Sequence, residues 1–240
     1  MDITKVTKPI RQLLQRKYCG AVIGAAGSAS RMEGIDKVMA PLGGEPMIAR
    51  TVRAFQNCDA IREIVVVTRP DLLTAVMGLC KDMDKVRAVV AGGKDRPESV
   101  MNGLNALSGK VKLAAIQDGA RPLVTWQVID RTVRAANSYG AAAPAVAVKD
   151  TIKEVAGGLV ANTPDRSRLQ AVQTPQVFDV DLLKAALKKA KGEGTPITDD
   201  CSAVELMGMK VKIVEGDERN IKVTTPMDLK IAQLFMEEGQ

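Results

Sequence analysis

The sequence predicts an α/β fold, a mainly parallel sheet with helices on both faces. Short β-branched runs alternate with longer segments of helical period along most of the chain, which is the rhythm of βαβ units. The 240 residues are 46% hydrophobic, enough to bury one sizeable core. The rhythm breaks once, over residues 149–176, where two β-like stretches flank Gly157-Gly158. That break predicts a hairpin projecting from the sheet.

The elements follow in chain order. Residues 1–18, "MDITKVTKPIRQLLQRKY", form a basic extension without the apolar middle region or small-residue cleavage site of a signal peptide. Ile10, Leu13 and Leu14 have helical spacing, which suits either a short docked helix or a frayed extension. Residues 19–240 are expected to form one domain. Its strand candidates are "AVIGA" (21–25), "EIVVVT" (63–68), "VRAVVA" (86–91), "KLAAIQD" (112–118), "AAAPAVAV" (141–148) and "KVKIVEG" (210–216). Between them lie helix candidates "MIARTVRAFQN" (47–57), "DLLTAVMGLCKDM" (71–83), "PESVMNGLNALSG" (97–109) and "TWQVIDRTVRAANSYG" (125–140). In such a sheet, ligands bind beyond the carboxyl ends of the strands. Near the end, Ile221 and Val223 alternate with Lys222 as in a half-buried strand, and Thr225-Pro226 opens a helix by the cap-then-proline rule.

Composition narrows the chemistry. The chain has no histidine, which removes imidazole acid–base catalysis, His-dependent triads and His-ligated metals. Cys19, Cys58, Cys80 and Cys201 lie far apart with no C-x-x-C pair, the pattern of reduced, packed thiols in a cytoplasmic protein. No run approaches the ~20 apolar residues of a membrane span, so a soluble chain without a membrane partner is expected. The net charge of +6 suits phosphate-bearing substrates and equally permits nucleic acid. Aromatics are only 2% of residues and the cations form no single run, which argues against a nucleic-acid partner.

Three stretches can carry chemistry. In "AAGSASRMEGIDK", the chain leaves the first strand through Ala25, Ala26 and Gly27 and then places Arg31 and Lys37 in one loop. Neither a G-x-G-x-x-G nor a P-loop pattern is present. Small residues let backbone amides approach an anion, and the two cations suit a polyphosphate; tight strand–helix packing with both cations in solvent fits equally well. In "IQDGARP", Asp118 ends a strand beside Gly119 and Arg121, where a carboxylate serves either Mg²⁺ or a substrate hydroxyl, or else pairs with Arg121 to order the turn. In "GGKDRPESV", Gly93 and Ser99 leave room for a flat base, while Asp95 as cap, Pro97 at the first turn and Glu98 completing a capping box also read as an ordinary helix start.

"AAGSASRM" followed by Lys37, then "GGKDRPESV", "DGARP", "KDTIKE", "QTPQVF", "ITDDCSAVE" and "NIKVTTPMDL" stand in the order and spacing of one family. Over about residues 19–236 the chain resembles the 2-C-methyl-D-erythritol 4-phosphate cytidylyltransferases. The resemblance implies a Rossmann-like nucleotidyltransferase sheet and a β-hairpin dimerisation arm at about 149–170. It also implies CTP as co-substrate, Mg²⁺ or another divalent cation as cofactor, and a homodimer with composite active sites. By position, Ala25, Ala26, Gly27, Arg31 and Lys37 would hold the triphosphate, and Gly93 and Ser99 would surround cytosine. Asp118 would face the ribose and the metal. Arg121, Thr151, Arg166, Thr174 and Thr198 would meet the sugar phosphate, with Thr151 and Arg166 reaching the partner's site. Lys222 would join Arg31 and Lys37 as a catalytic cation. Ala29, Asp36 and Gln117 depart from residues common in the family. The implied reaction is CMP transfer from CTP to methylerythritol phosphate. A sister activity on another polyol phosphate, such as ribitol 5-phosphate, shares most of these motifs.

Overall fold

The computed structural model describes residues 17–27 and 37–238. The extension through residue 16 lies outside the described residues, as do Ala29, Arg31 and Asp36. In chain order come β1 (Cys19–Ala25), a small ribbon of β2 (Pro41–Leu42) and β3 (Glu45–Pro46), and α1 (Met47–Gln56). Then follow β4 (Glu63–Thr68), α2 (Leu73–Leu79), β5 (Val86–Ala91), α3 (Arg96–Ala106), β6 (Leu113–Asp118), α4 (Trp126–Tyr139) and β7 (Ala141–Ala147). The hairpin strands are β8 (Glu154–Ala156) and β9 (Leu159–Asn162), followed by β10 (Gln170–Val172) and β11 (Gln176–Asp179). The chain closes with α5 (Val180–Glu193), α6 (Asp200–Glu205), β12 (Lys212–Glu215) and α7 (Pro226–Glu237).

The large sheet runs β10-β7-β11-β6-β1-β4-β5. Strands β6, β1, β4 and β5 are mutually parallel. Strand β11 lies antiparallel between β6 and β7. Ala145 of β7 faces Val172 of antiparallel β10 on one side and Glu215 of parallel β12 on the other. The sheet is therefore mixed around a parallel core.

Strand alternation divides the apolar side chains between two layers. Ala21 and Ile23 of β1, Ile64 and Val66 of β4, and Leu113 and Ala115 of β6 pack with α1, α2 and α4. Val22, Val65, Val67, Ala114 and Ile116 face α3, α5 and α6 on the other side. Helix α7 instead covers Leu42, Met47 and Val223 through Ala232.

Two features place the site. Successive strands run outward from β1 through β4 to β5, and the chain then crosses back to β6 on the other side of β1. This is the topological switch point, where a crevice opens beyond the strand ends. At that point the Gly119 amide donates to the Gly24 carbonyl at 2.8 Å, and a Cβ on Gly119 would lie 2.9 Å from the same oxygen. Glycine is required for the ends of β1 and β6 to meet so closely.

The expected hairpin is present: Gly157 and Gly158, with φ of 58° and 81°, form the two-residue turn between β8 and β9. Residues 221–223, expected as a half-buried strand, form none. The alternation nevertheless holds, with Ile221 and Val223 packed inward and Lys222 turned away.

Candidate active site

A cavity of about 410 Å³ opens at the switch point. One wall is the exit of β1, where Ala25, Ala26 and Gly27 line the space with Lys37. Opposite stand Gly93 and Ser99 at the start of α3. The Gly93 amide donates to Ser99 Oγ at 3.0 Å, and that hydroxyl donates to the Asp95 carbonyl at 2.8 Å. Asp95 caps α3 by accepting from the Glu98 amide at 2.8 Å, as its position predicts. Glu98, expected to complete a capping box, turns its carboxylate to Lys191 at 3.9 Å. The helix-start reading and the cavity-lining reading of this stretch therefore coexist.

Asp118 and Lys222 line the floor. Lys222 Nζ lies 2.8 Å from Asp118 Oδ2. Arg121 Nε lies 3.8 Å from the same oxygen, and Arg96 Nη2 lies 3.9 Å from Oδ1. Burial pushes the Asp118 carboxyl up, but Lys222, with Arg96 and Arg121 behind it, outweighs burial and holds it below the usual carboxylate range. The turn-ordering pair expected between Asp118 and Arg121 is thus longer than the Lys222 contact. Arg121 donates instead to the Asn220 carbonyl at 2.6 Å.

A fully buried carboxylate, Asp200, sits 2.7 Å from Arg96 Nη2. Burial raises the Asp200 carboxyl, and the guanidinium only partly offsets that rise. Arg96 accordingly links the cavity wall to α6.

A family model described as 2-C-methyl-D-erythritol 4-phosphate cytidylyltransferase matches residues 19–238. A relative of that name from Geobacillus thermodenitrificans is 47% identical over 221 residues, covering 90% of this chain and 96% of the relative. One from Caldanaerobacter subterraneus subsp. tengcongensis is 44% identical over 225 residues, covering 90% and 97%. The chain belongs to the 2-C-methyl-D-erythritol 4-phosphate cytidylyltransferase family. Solved structures agree. A 4-diphosphocytidyl-2C-methyl-D-erythritol synthase from Anaerococcus prevotii superposes with a TM-score of 0.85 at 30% identity, covering 94% of this chain and 99% of that one. The cytidylyltransferase from Thermus thermophilus gives 0.77 at 30%, covering 91% and 98%.

As a member of the cytidylyltransferase family the chain is a nucleotidyltransferase, and its residues can be sorted accordingly. Ala25, Ala26, Gly27, Lys37, Gly93, Ser99, Asp118 and Lys222 come together on one cavity. Thr174 is buried behind it, where Oγ1 accepts from the Asp118 amide at 3.1 Å. Arg121 is likewise behind the floor, and Thr198 is exposed just before the α6 cap. Thr151 and Arg166 are exposed on the arm and do not line this cavity; Arg166 donates to the Lys149 carbonyl at 2.5 Å. Arg31 lies outside the described residues.

Sequence reasoning passed over Arg96, Lys94 and Asp200. Arg96 and Lys94 line the cavity and stand inside "GGKDRPESV"; the one available signal was a basic pair beside two glycines. Asp200 stands inside "ITDDCSAVE", next to the cap residue Asp199.

Among the described residues no group of three or more His, Cys, Asp or Glu side chains could hold a metal ion. A divalent cation in this cavity would meet the single carboxylate of Asp118 and would need phosphate oxygens and water for its remaining ligands. Mg²⁺ is commonly bound in that way. No described helix is long and apolar enough to cross a membrane, and all four cysteines are free and buried.

Proposed function

We propose that the chain transfers the CMP group of CTP to 2-C-methyl-D-erythritol 4-phosphate, releasing pyrophosphate and forming 4-diphosphocytidyl-2-C-methyl-D-erythritol. The observation that carries this reading is the convergence, on one switch-point cavity, of Lys37 and the small residues after β1 with Gly93, Ser99, Asp118 and Lys222. Those side chains come from four separate segments.

In this reading the amides of Ala25, Ala26 and Gly27 donate to the triphosphate oxygens, with Arg31 and Lys37 as its cations. Gly93 and Ser99 flank the cytosine, and Asp118 faces the ribose. Asp118, with the phosphates, would hold Mg²⁺, which would supply neutralising charge. The acceptor is a phosphate monoester, whose second pKa is about 6. It is therefore already anionic at neutral pH and requires no general base, which suits a chain without histidine. The barrier is the growth of negative charge at the α-phosphorus as the acceptor oxygen attacks in line. Arg31, Lys37 and Lys222 are the side chains that meet that charge.

Arg121, Thr174 and Thr198 serve the acceptor end, joined by Thr151 and Arg166 from the arm of a second copy. The homodimer this requires is supported by the arm's exposed apolar side chains: Val155, Leu159 and Val160 are 62%, 76% and 60% exposed, an unusual load for one short hairpin. A cytoplasmic setting agrees with four free thiols.

The test is to incubate the purified protein with CTP, Mg²⁺ and methylerythritol phosphate while following pyrophosphate. Release that requires this acceptor is expected. Faster release with ribitol 5-phosphate would transfer the assignment to that polyol, and silence with both would reject it.

A further inference from the structure

Lys222 sits in an unlikely place for a residue that must be held still. It lies between the end of β12 at Glu215 and the start of α7 at Pro226, where the backbone forms no helix or strand, and its side chain is 45% exposed. A long flexible lysine on an irregular segment reaches one place only if the segment is fixed from below. The ends are fixed: the Gly216 amide donates to the Ala145 carbonyl and the Val223 amide to the Ala120 carbonyl, both at 2.8 Å.

The middle is held by a buried amide, Asn220, which is fully inaccessible. Its Nδ2 donates to the Thr174 carbonyl at 3.0 Å and lies 3.4 Å from Gln173 Oε1. The main-chain carbonyl of Asn220 accepts from Arg121 Nη1 at 2.6 Å. Gln173, also buried, completes the tie: Oε1 accepts from the Asp217 amide at 3.2 Å and Nε2 donates to the Asp217 carbonyl at 2.8 Å. The same turn reaches the other half of the pair, since Thr174 Oγ1 accepts from the Asp118 amide at 3.1 Å. Asp118 and Lys222 are thus both referenced to residues 173–174.

We infer that Asn220 is a positioning residue for the reaction, holding Lys222 over Asp118 by tying its segment to the turn at Gln173–Thr174. The inference rests on the role proposed for Lys222. Asn220 touches no cavity surface and acts only through its neighbours. Buried amides are costly unless bonded, and this one spends its donor on the turn that also orients Asp118. A residue that merely stabilised the fold would lower the melting temperature without singling out Lys222.

The test is a double-mutant cycle. Asn220→Asp keeps the size but turns an acceptor toward the Thr174 carbonyl, and Asn220→Ser is a second variant. Each is measured for kcat and the CTP KM, alone and with Lys222→Met. Asn220→Asp alone should lower kcat about tenfold or more with a smaller change in KM, the mark of an interaction used in the transition state. With Lys222 already Met, the same change should cost about twofold or less, because the residue it positions is gone. Equal losses in both backgrounds would overturn the inference while leaving Lys222 its role. A fully active Lys222→Met enzyme would overturn both. Gln173→Met cuts the same tie from the other end, and it is read in the same way if the Asn220 variants do not fold.

Discussion

At the scale of single residues, the Lys222–Asp118 contact makes stability depend on pH in a definite direction. Burial alone would raise the Asp118 carboxyl, yet Lys222, Arg96 and Arg121 bring it below its ordinary value. A depressed carboxylate pKa adds stability that is complete above the unfolded value, about 3.9, and is lost as pH falls through the folded value. Lys222→Met removes the largest attraction. Its melting temperature should lie below the wild type at pH 7, and the gap should narrow as pH drops past about 4, where the carboxyl is neutral in the unfolded chain. A gap that stays constant across pH would show that the pair contributes no charge-dependent stability. Lys37 is expected to act on the reaction instead. Lys37→Ala should lower kcat by about 10²–10³, the usual loss for one transition-state donor, with CTP binding less affected. Steady-state kinetics with wild-type-like turnover would reject its phosphate role.

At the scale of elements, the start of α7 lies just beyond the Lys222 segment. Thr225 Oγ1 accepts from the Asp228 amide at 3.2 Å, and Asp228 Oδ2 accepts from the amides of Thr224 and Thr225, both at 2.8 Å. Replacing such a cap by alanine costs about 1 kcal/mol. Thr225→Ala should therefore lower the melting temperature by about 2–4 °C, the shift expected for a chain of this size. Calorimetry checks it, and an unchanged transition would mean Asp228 alone holds the turn.

This cap was legible in the sequence, as were the central strands. "EIVVVT" coincides with β4, because a strand covered on both faces reads as an apolar run, and "VRAVVA" coincides with the half-buried edge strand β5, whose β-branched residues mark it. Helix α2 is shorter than its period suggests, ending at Leu79 rather than Met83. Strands β10 and β11 and helices α5 and α6 were not read as elements. Strand β10 is exposed throughout and has three residues, and β11 has four after Thr174-Pro175, so neither offers a periodic pattern to read. The site was legible as motifs but not as contacts. Nothing local in "RNIKVTT" says that Lys222 will meet Asp118, since that depends on β6 and the Asn220 tie being folded together.

At the scale of the whole molecule, the arm decides how many chains a working site needs. Strands β8 and β9 pair only with each other, off the large sheet, and every residue from 151 to 162 is exposed. Thr151 and Arg166 lie off the lining of their own chain's cavity, although the family resemblance gives both a substrate role. A two-fold dimer reconciles these facts if each arm reaches across to its partner. The consequence is measurable by mixing two variants, each expected to be inactive alone. Lys37→Ala damages a chain's own cavity, and Arg166→Ala damages the site that its arm completes. In a heterodimer, one site then carries both lesions and the other carries neither. Equal mixing should restore about a quarter of wild-type activity, since half of the dimers are hetero and each has one intact site of two. Recovery should follow the rate at which subunits exchange, monitored by labelled chains. If exchange is complete and activity stays absent, each site is built from one chain, and Arg166 and Thr151 have no part in it.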